Sequence, residues 1–121
     1  MMNDLLQMTI EQLQDRANEI RLDMMRMLIE AGSGHSAGPL GMADVFTALY
    51  FGGVMKYDVN NPSWEDRDYL VLSNGHICPI LYTTMAHAGF FPKSELATLR
   101  KLGTRLQGHP HRTSLPGLET T

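Results

Sequence analysis

Along the chain, apolar residues first recur with a helical period after Thr9. Leu13, Ala17, Ile20, Met24, Met27 and Leu28 fall three or four residues apart, with a final adjacent pair. The start is marked by "TIEQ", residues 9–12. This is a capping box: the Thr9 hydroxyl accepts from the Gln12 N–H while the Gln12 side chain reaches back to the Thr9 N–H. Gly32 is placed to end the helix. In its second half, Leu22, Met25 and Ile29 add apolar positions on the opposite face. A helix apolar nearly all round is buried on two sides, and in so short a chain the second side is expected to meet another domain or subunit.

A glycine-rich stretch, "AGSGHSAGPLG" at residues 31–41, precedes Met42, Val45, Phe46, Leu49 and Tyr50, which repeat with helical spacing. Asp44 lies near the positive end of this second helix, and Gly52-Gly53 stops it. "KYDVNNPSWEDRD", residues 56–68, reads as a polar loop. It leads into "YLVLS", residues 69–73, a short apolar run that predicts a buried strand. "HICPILYTTMAHAGF", residues 76–90, predicts a helix apolar on most faces, with Pro79 tolerated in its first turn. Pro92 and Gly103 bracket a last short helix over residues 92–102. From Gly103 onward neither period is present.

One strand among four helices is not a finished α/β domain, because a buried strand needs neighbours on its edges. Either the fold is helical and residues 69–73 are no strand, or the chain is part of a larger unit. The polar tail favours the larger unit. The whole chain then forms one partial domain, with residues 1–8 flexible and 103–121 an extended loop.

Composition narrows the class. The chain has 121 residues, 43% of them hydrophobic and 19% charged, which suits one small globular domain. A net charge of −3 without a basic run argues against a nucleic-acid surface. The one cysteine, Cys78, fits a reducing compartment. The N-terminus lacks the basic and long apolar regions of a signal peptide, and no apolar run is long enough to span a bilayer. The expectation is a soluble, cytoplasmic protein with neither nucleic-acid nor membrane partners.

Candidate chemistry rests on the five histidines. His87 lies near the end of a predicted helix, where a partly charged imidazole suits the helix dipole, and reads as structural. The other four, His35, His76, His109 and His111, sit beside glycine or proline in loops or at helix starts. In "LSNGH", residues 72–76, a strand end turns through Ser73, Asn74 and Gly75 to place His76 at a helix start, where N–H groups bind anions. His109 and His111 in "QGHPHR" could share a metal on an extended segment, but no carboxylate or cysteine stands at ligand spacing. "GSGHSAGPLG" is neither a Walker loop nor a dinucleotide fingerprint, although its glycines allow close approach of a ligand. Imidazoles in three glycine-flanked turns suit a hydroxyl-rich, phosphorylated ligand such as a sugar phosphate.

"GSGHSAGPLGMADV", "DRDYLVLSNGH" and "LGTRLQGHPHRTSLPGLETT", in that order, resemble the first third of a transketolase. The resemblance runs from about residue 12 to the last threonine. It implies the N-terminal, diphosphate-binding part of a thiamine-diphosphate fold, α/β with helices packed on a parallel sheet, incomplete in this chain. It implies transfer of a two-carbon ketol unit from a ketose phosphate to an aldose phosphate. His35 and His109 would be catalytic and substrate-binding: His35 assists proton transfer, and His109 bonds donor hydroxyls. His76, Ser73 and Asn74 would bind the cofactor diphosphate. The cofactors implied are thiamine diphosphate with Mg2+ or Ca2+. The family's Gly-Asp-Gly metal motif is absent from these residues, so no metal ligand is assigned. His111 stands where relatives often carry an acidic or neutral residue, and is given no role.

The chain alone is therefore expected to be inactive. Its partners would be a C-terminal transketolase subunit or the remainder of the enzyme, in a homo- or hetero-oligomer acting on sugar phosphates. Two rival readings stand beside this. One is another thiamine-dependent ketol transferase, of the dihydroxyacetone-forming or deoxyxylulose-phosphate-forming type. The other is a non-catalytic assembly or regulatory module of the same fold.

Overall fold

The computed structural model describes residues 8–119. Helix α1 spans Ile10–Ala31, α2 Ala37–Phe51 and α3 Cys78–Ala88. A single 3-10 turn, Gly75–Ile77, runs into α3, and a second 3-10 stretch covers Lys93–Thr98. The three α-helices pack pairwise on one another, with the second 3-10 stretch against α1 and α3.

Helix α1 forms as its sequence dictates. Both capping-box bonds are present, Gln12 N–H to Thr9 Oγ1 at 3.1 Å and Thr9 N–H to Gln12 Oε1 at 2.9 Å. At the other end Gly32 adopts φ 71°, a left-handed cap whose N–H closes on the Leu28 and Ile29 carbonyls. Ala17, Ile20, Met24, Met27 and Leu28 are buried, and Leu13 is half-buried. The opposite face is uncovered in this chain: Leu22 is 57% and Ile29 75% exposed.

Helix α2 begins earlier than its apolar repeat suggested, taking in Ala37, Gly38 and Pro39. Its buried face is Ala43, Phe46, Thr47 and Tyr50, leaving Val45 exposed. Arg21 of α1 spans the gap between the helices, donating to the Leu40 carbonyl at 3.3 Å and to Asp44 at 2.6 Å. Helix α3 is the centre of the molecule, with every residue from Cys78 to Ala86 buried. Its hydroxyls stay satisfied because Thr83 and Thr84 donate to the carbonyls of Pro79 and Ile80 within the helix.

The α/β expectation, helices on a parallel sheet, is overturned: the described residues form helices and turns with no strand. The run Tyr69–Ser73 is not a buried strand. Tyr69 and Val71 are 63% and 68% exposed, while Leu70 and Leu72 turn toward the core. A strand exists only through a ladder with another strand, and no second strand is present among the described residues. The predicted helix over 92–102 is also shorter, a 3-10 stretch that ends at Thr98.

Residues 1–7 of the segment expected to be flexible lie outside the described residues, while Met8 packs against the core. Between Leu99 and Glu119 the chain has no helix, yet Leu106, Leu115 and Leu118 are buried and anchor it. Arg67 and Glu119 join this stretch to the loop between α2 and the Gly75–Ile77 turn, with bonds of 3.1 and 3.2 Å. Among the described residues no helix is long and apolar enough to cross a membrane.

Candidate functional site

His35 lies in the short connection between α1 and α2. Gly34 turns this connection tightly against α1: a Cβ there would stand 2.6 Å from Leu28 Cδ2. Its φ of 129° suits glycine. At the start of α2, Gly38 lets the helix press on Ile77, since a Cβ at Gly38 would come within 2.9 Å of Ile77 Cγ2. Ile77 is the buried neighbour of His76. The close approach of α2 to this turn brings His35 and His76 edge to face, with ring centroids 5.0 Å apart and an interplanar angle of 71°.

The third imidazole arrives from the irregular stretch after Leu99. His109 rests its ring on the bare α-carbon of Gly75, which has no room for a Cβ. Helix α3 fixes the segment just before it. Tyr82 Oη donates to the Gln107 carbonyl at 2.7 Å, and Cys78 Sγ lies 3.3 Å from the Gly108 carbonyl. Burial makes this thiol a poor acid, with its pKa pushed up to about 11, so Cys78 serves here as a neutral, structural group.

His35, His76 and His109 thus occupy one surface, all three residues exposed, with no side-chain hydrogen bond to any described residue. Ser73 and Asn74 are also exposed, immediately upstream of the Gly75–Ile77 turn. Within this turn the N–H groups of Ile77 and Cys78 are used on the Asn74 and Gly75 carbonyls, and His76 is exposed beside them.

The other two histidines stand apart. His111 Nδ1 is 3.1 Å from the Thr113 hydroxyl, in a turn that Ser114 closes on the His111 carbonyl. Among the described residues no three His, Cys, Asp or Glu side chains gather to hold a metal ion. His87 is structural in an unexpected way. Its side chain is 2% exposed and its Nε2 lies 2.7 Å from Asp23 Oδ2, tying α3 to α1. Burial lowers its pKa, outweighing the carboxylate, so the ring is held neutral rather than partly charged by the helix end.

Nothing in the sequence marks the packing positions of Gly38, Gly75 and Gly108 or the turn at Arg100. Arg100 is the sole non-glycine residue with positive φ among the described residues, at 61°.

The family profile "Transketolase, thiamine diphosphate binding domain" matches residues 12–121. The chain belongs to this family. It is 40% identical over 108 residues to "Transketolase 2" of Escherichia coli, covering 88% of this chain and 16% of that protein. It is 42% identical over 109 residues to "6-deoxy-6-sulfo-D-fructose transketolase subunit SqwG" of a Clostridium species, covering 90% of this chain and 39% of that subunit. Transketolase from Leishmania mexicana superposes with a TM-score of 0.79 at 37% identity, over 93% of this chain and 16% of that one. Transketolase from Campylobacter jejuni gives 0.81 at 34% identity, over 92% and 17%. This transketolase-family chain therefore spans well under half the length of these relatives, and its helical arrangement is that of the matching part of solved transketolases.

Proposed function

We propose that the chain forms part of the active site of a transketolase-type transferase that moves a two-carbon ketol unit from a ketose phosphate to an aldose phosphate. The observation that carries this reading is the convergence of His35, His76 and His109 on one exposed surface, without partners of their own. Imidazoles that pack on each other and on glycine, and bond to nothing else described, suit a polar ligand with many hydroxyls.

The residues present fit the polar parts of thiamine diphosphate but not its metal. His76, with Ser73 and Asn74 beside it, would hold the diphosphate, and His35 would face the reacting end. His109 would donate to the hydroxyls of the donor sugar, and His35 or His109 would carry a proton to or from the substrate oxygen. When bound, the cofactor supplies the carbanion stabilisation that carbon–carbon cleavage requires. Mg2+ or Ca2+ on the diphosphate would be held by oxygens outside the described residues. The chain is read as one partial domain, residues 1–121, acting with further transketolase sequence, on a C-terminal subunit or elsewhere in the enzyme, in a cytoplasmic oligomer.

A second reading concerns the donor. The likeness to a subunit whose name specifies 6-deoxy-6-sulfo-D-fructose supports a sulfonated ketose as the alternative donor. Imidazoles directed at hydroxyls serve either donor.

Calorimetric titration with thiamine diphosphate and Mg2+ tests the reading, on the chain alone and mixed with a complementary transketolase subunit. Binding and ketol transfer are expected in the mixture only. There, His35→Asn and His109→Asn should each lower kcat/KM by about 10²–10⁴-fold. Unaltered turnover in both variants overturns the assignment, and micromolar cofactor binding by the chain alone overturns its dependence on a partner. Parallel assays with a ketose phosphate and the sulfonated ketose choose between the donors.

A further inference from the structure

Arg100 occupies a backbone conformation that glycine adopts freely and arginine rarely does, with φ 61°. The turn is closed by a bond from the Arg100 N–H to the Leu106 carbonyl at 2.8 Å. From this turn the side chain lies along Gly108. A Cβ at Gly108 would stand 2.6 Å from Nη1, 3.2 Å from Cζ and 3.4 Å from Cγ of Arg100. The contact therefore extends from the aliphatic stem to the guanidinium.

No carboxylate among the described residues pairs with this guanidinium, whereas Arg21, Arg26, Arg67 and Arg105 all have acidic partners. Its contact with the backbone of Gly108 is what it has in place of an ion pair. Gly108 immediately precedes His109. The same short segment has its carbonyls held by Tyr82 and Cys78, and its histidine ring laid on Gly75. The three atoms nearest to a Cβ placed on Gly108 all belong to Arg100.

We infer that Arg100 is a positioning residue for His109, holding the Gln107–His109 segment in place by packing on Gly108. The inference rests on the reading of His109 as a substrate-contacting group. The left-handed turn at Arg100 is the conformation in which the side chain makes this contact.

Two variants remove the contact by independent routes. Arg100→Gly keeps the turn, because glycine adopts φ 61° without strain, and deletes the side chain. Gly108→Ala keeps the arginine and displaces it. Histidine-selective NMR on the 121-residue chain should show cross-relaxation between the His109 ring protons and the Gly75 α-protons. Both variants should lose this signal while the His87 resonances, reporting the buried pair with Asp23, stay in place. A His109–Gly75 signal retained in both variants, or absent from the unaltered chain, overturns the inference. Adding a ketose phosphate to the assembled enzyme separates the two ideas. A His109 signal that does not respond sinks its substrate role, and a dependence on Arg100 would then concern the loop alone.

Discussion

The imidazole of His109 lies on the α-carbon of Gly75, the residue directly before His76, and a side chain there would occupy the space of the ring. Gly75 has no positive φ, so alanine fits its backbone. Gly75→Ala should displace an exposed ring rather than unfold the chain. A stability change within about 1 kcal/mol is expected, together with loss of the His109–Gly75 signal by NMR and of ketol transfer in the assembled enzyme. Unchanged activity would separate His109 from the site.

Acid should weaken the fold through His87. Its folded pKa lies below the ordinary 6.5 because the ring is buried between α1 and α3. Between that lowered value and 6.5 the unfolded chain binds the proton and the folded chain does not, so stability falls as pH falls through this window. Asp23, Arg16 and Lys93 are the charges that act on the ring, Asp23 opposing the effect of burial and the two cations reinforcing it. Replacing His87 with Gln should flatten the dependence of Tm on pH from about 6.5 downward. Glu95, held below the usual carboxylate range by Arg105, loses its stabilising contribution only at lower pH, as it becomes protonated.

The cap, inner stripe and stop of α1 were legible in the sequence because each is set by residues close together along the chain, whereas the second apolar face, Leu22 and Ile29, is exposed in this chain. Helix α2 was legible in kind and in most of its face: Phe46 and Tyr50 are buried and Met42 and Leu49 half-buried, while Val45 is exposed and Ala43 and Thr47 complete the buried side. Residues 69–73 form no strand, because a short apolar run has no intrinsic state and its structure depends on what pairs with it. For the candidate site, glycine beside each histidine gave the signal that imidazoles lie in close turns. What those glycines touch is tertiary information: His109 on Gly75, Arg100 on Gly108, Ile77 under Gly38. Arg100 could not be anticipated, since its left-handed backbone runs against its own propensity.

Removing the capping box should cost about 1 kcal/mol: Thr9→Ala leaves the Gln12 N–H without its acceptor at an exposed helix start. Chemical denaturation measures this directly. An unchanged midpoint would show that the first turn of α1 contributes nothing to global stability.

Cys78 should resist alkylation in the folded chain. With a pKa of about 11 and complete burial, its thiolate fraction near pH 8 is on the order of one in a thousand. Modification by iodoacetamide should follow unfolding, and rapid labelling under native conditions would contradict the described packing. Tyr82→Phe removes the hydroxyl bonded to Gln107 and should destabilise by about 1 kcal/mol.

The candidate site is gathered from positions 35, 76 and 109, and helix α3 supports two of the three approaches. Such a surface is lost when the chain unfolds, so a ligand that needs all three rings binds only the native state. Its binding energy is then added to folding stability by mass action, as RT ln(1 + [L]/Kd). Substitutions in the core of α3, far from any imidazole, would thus be scored in a binding assay as weakened affinity. A saturating ligand would rescue them in a melting experiment.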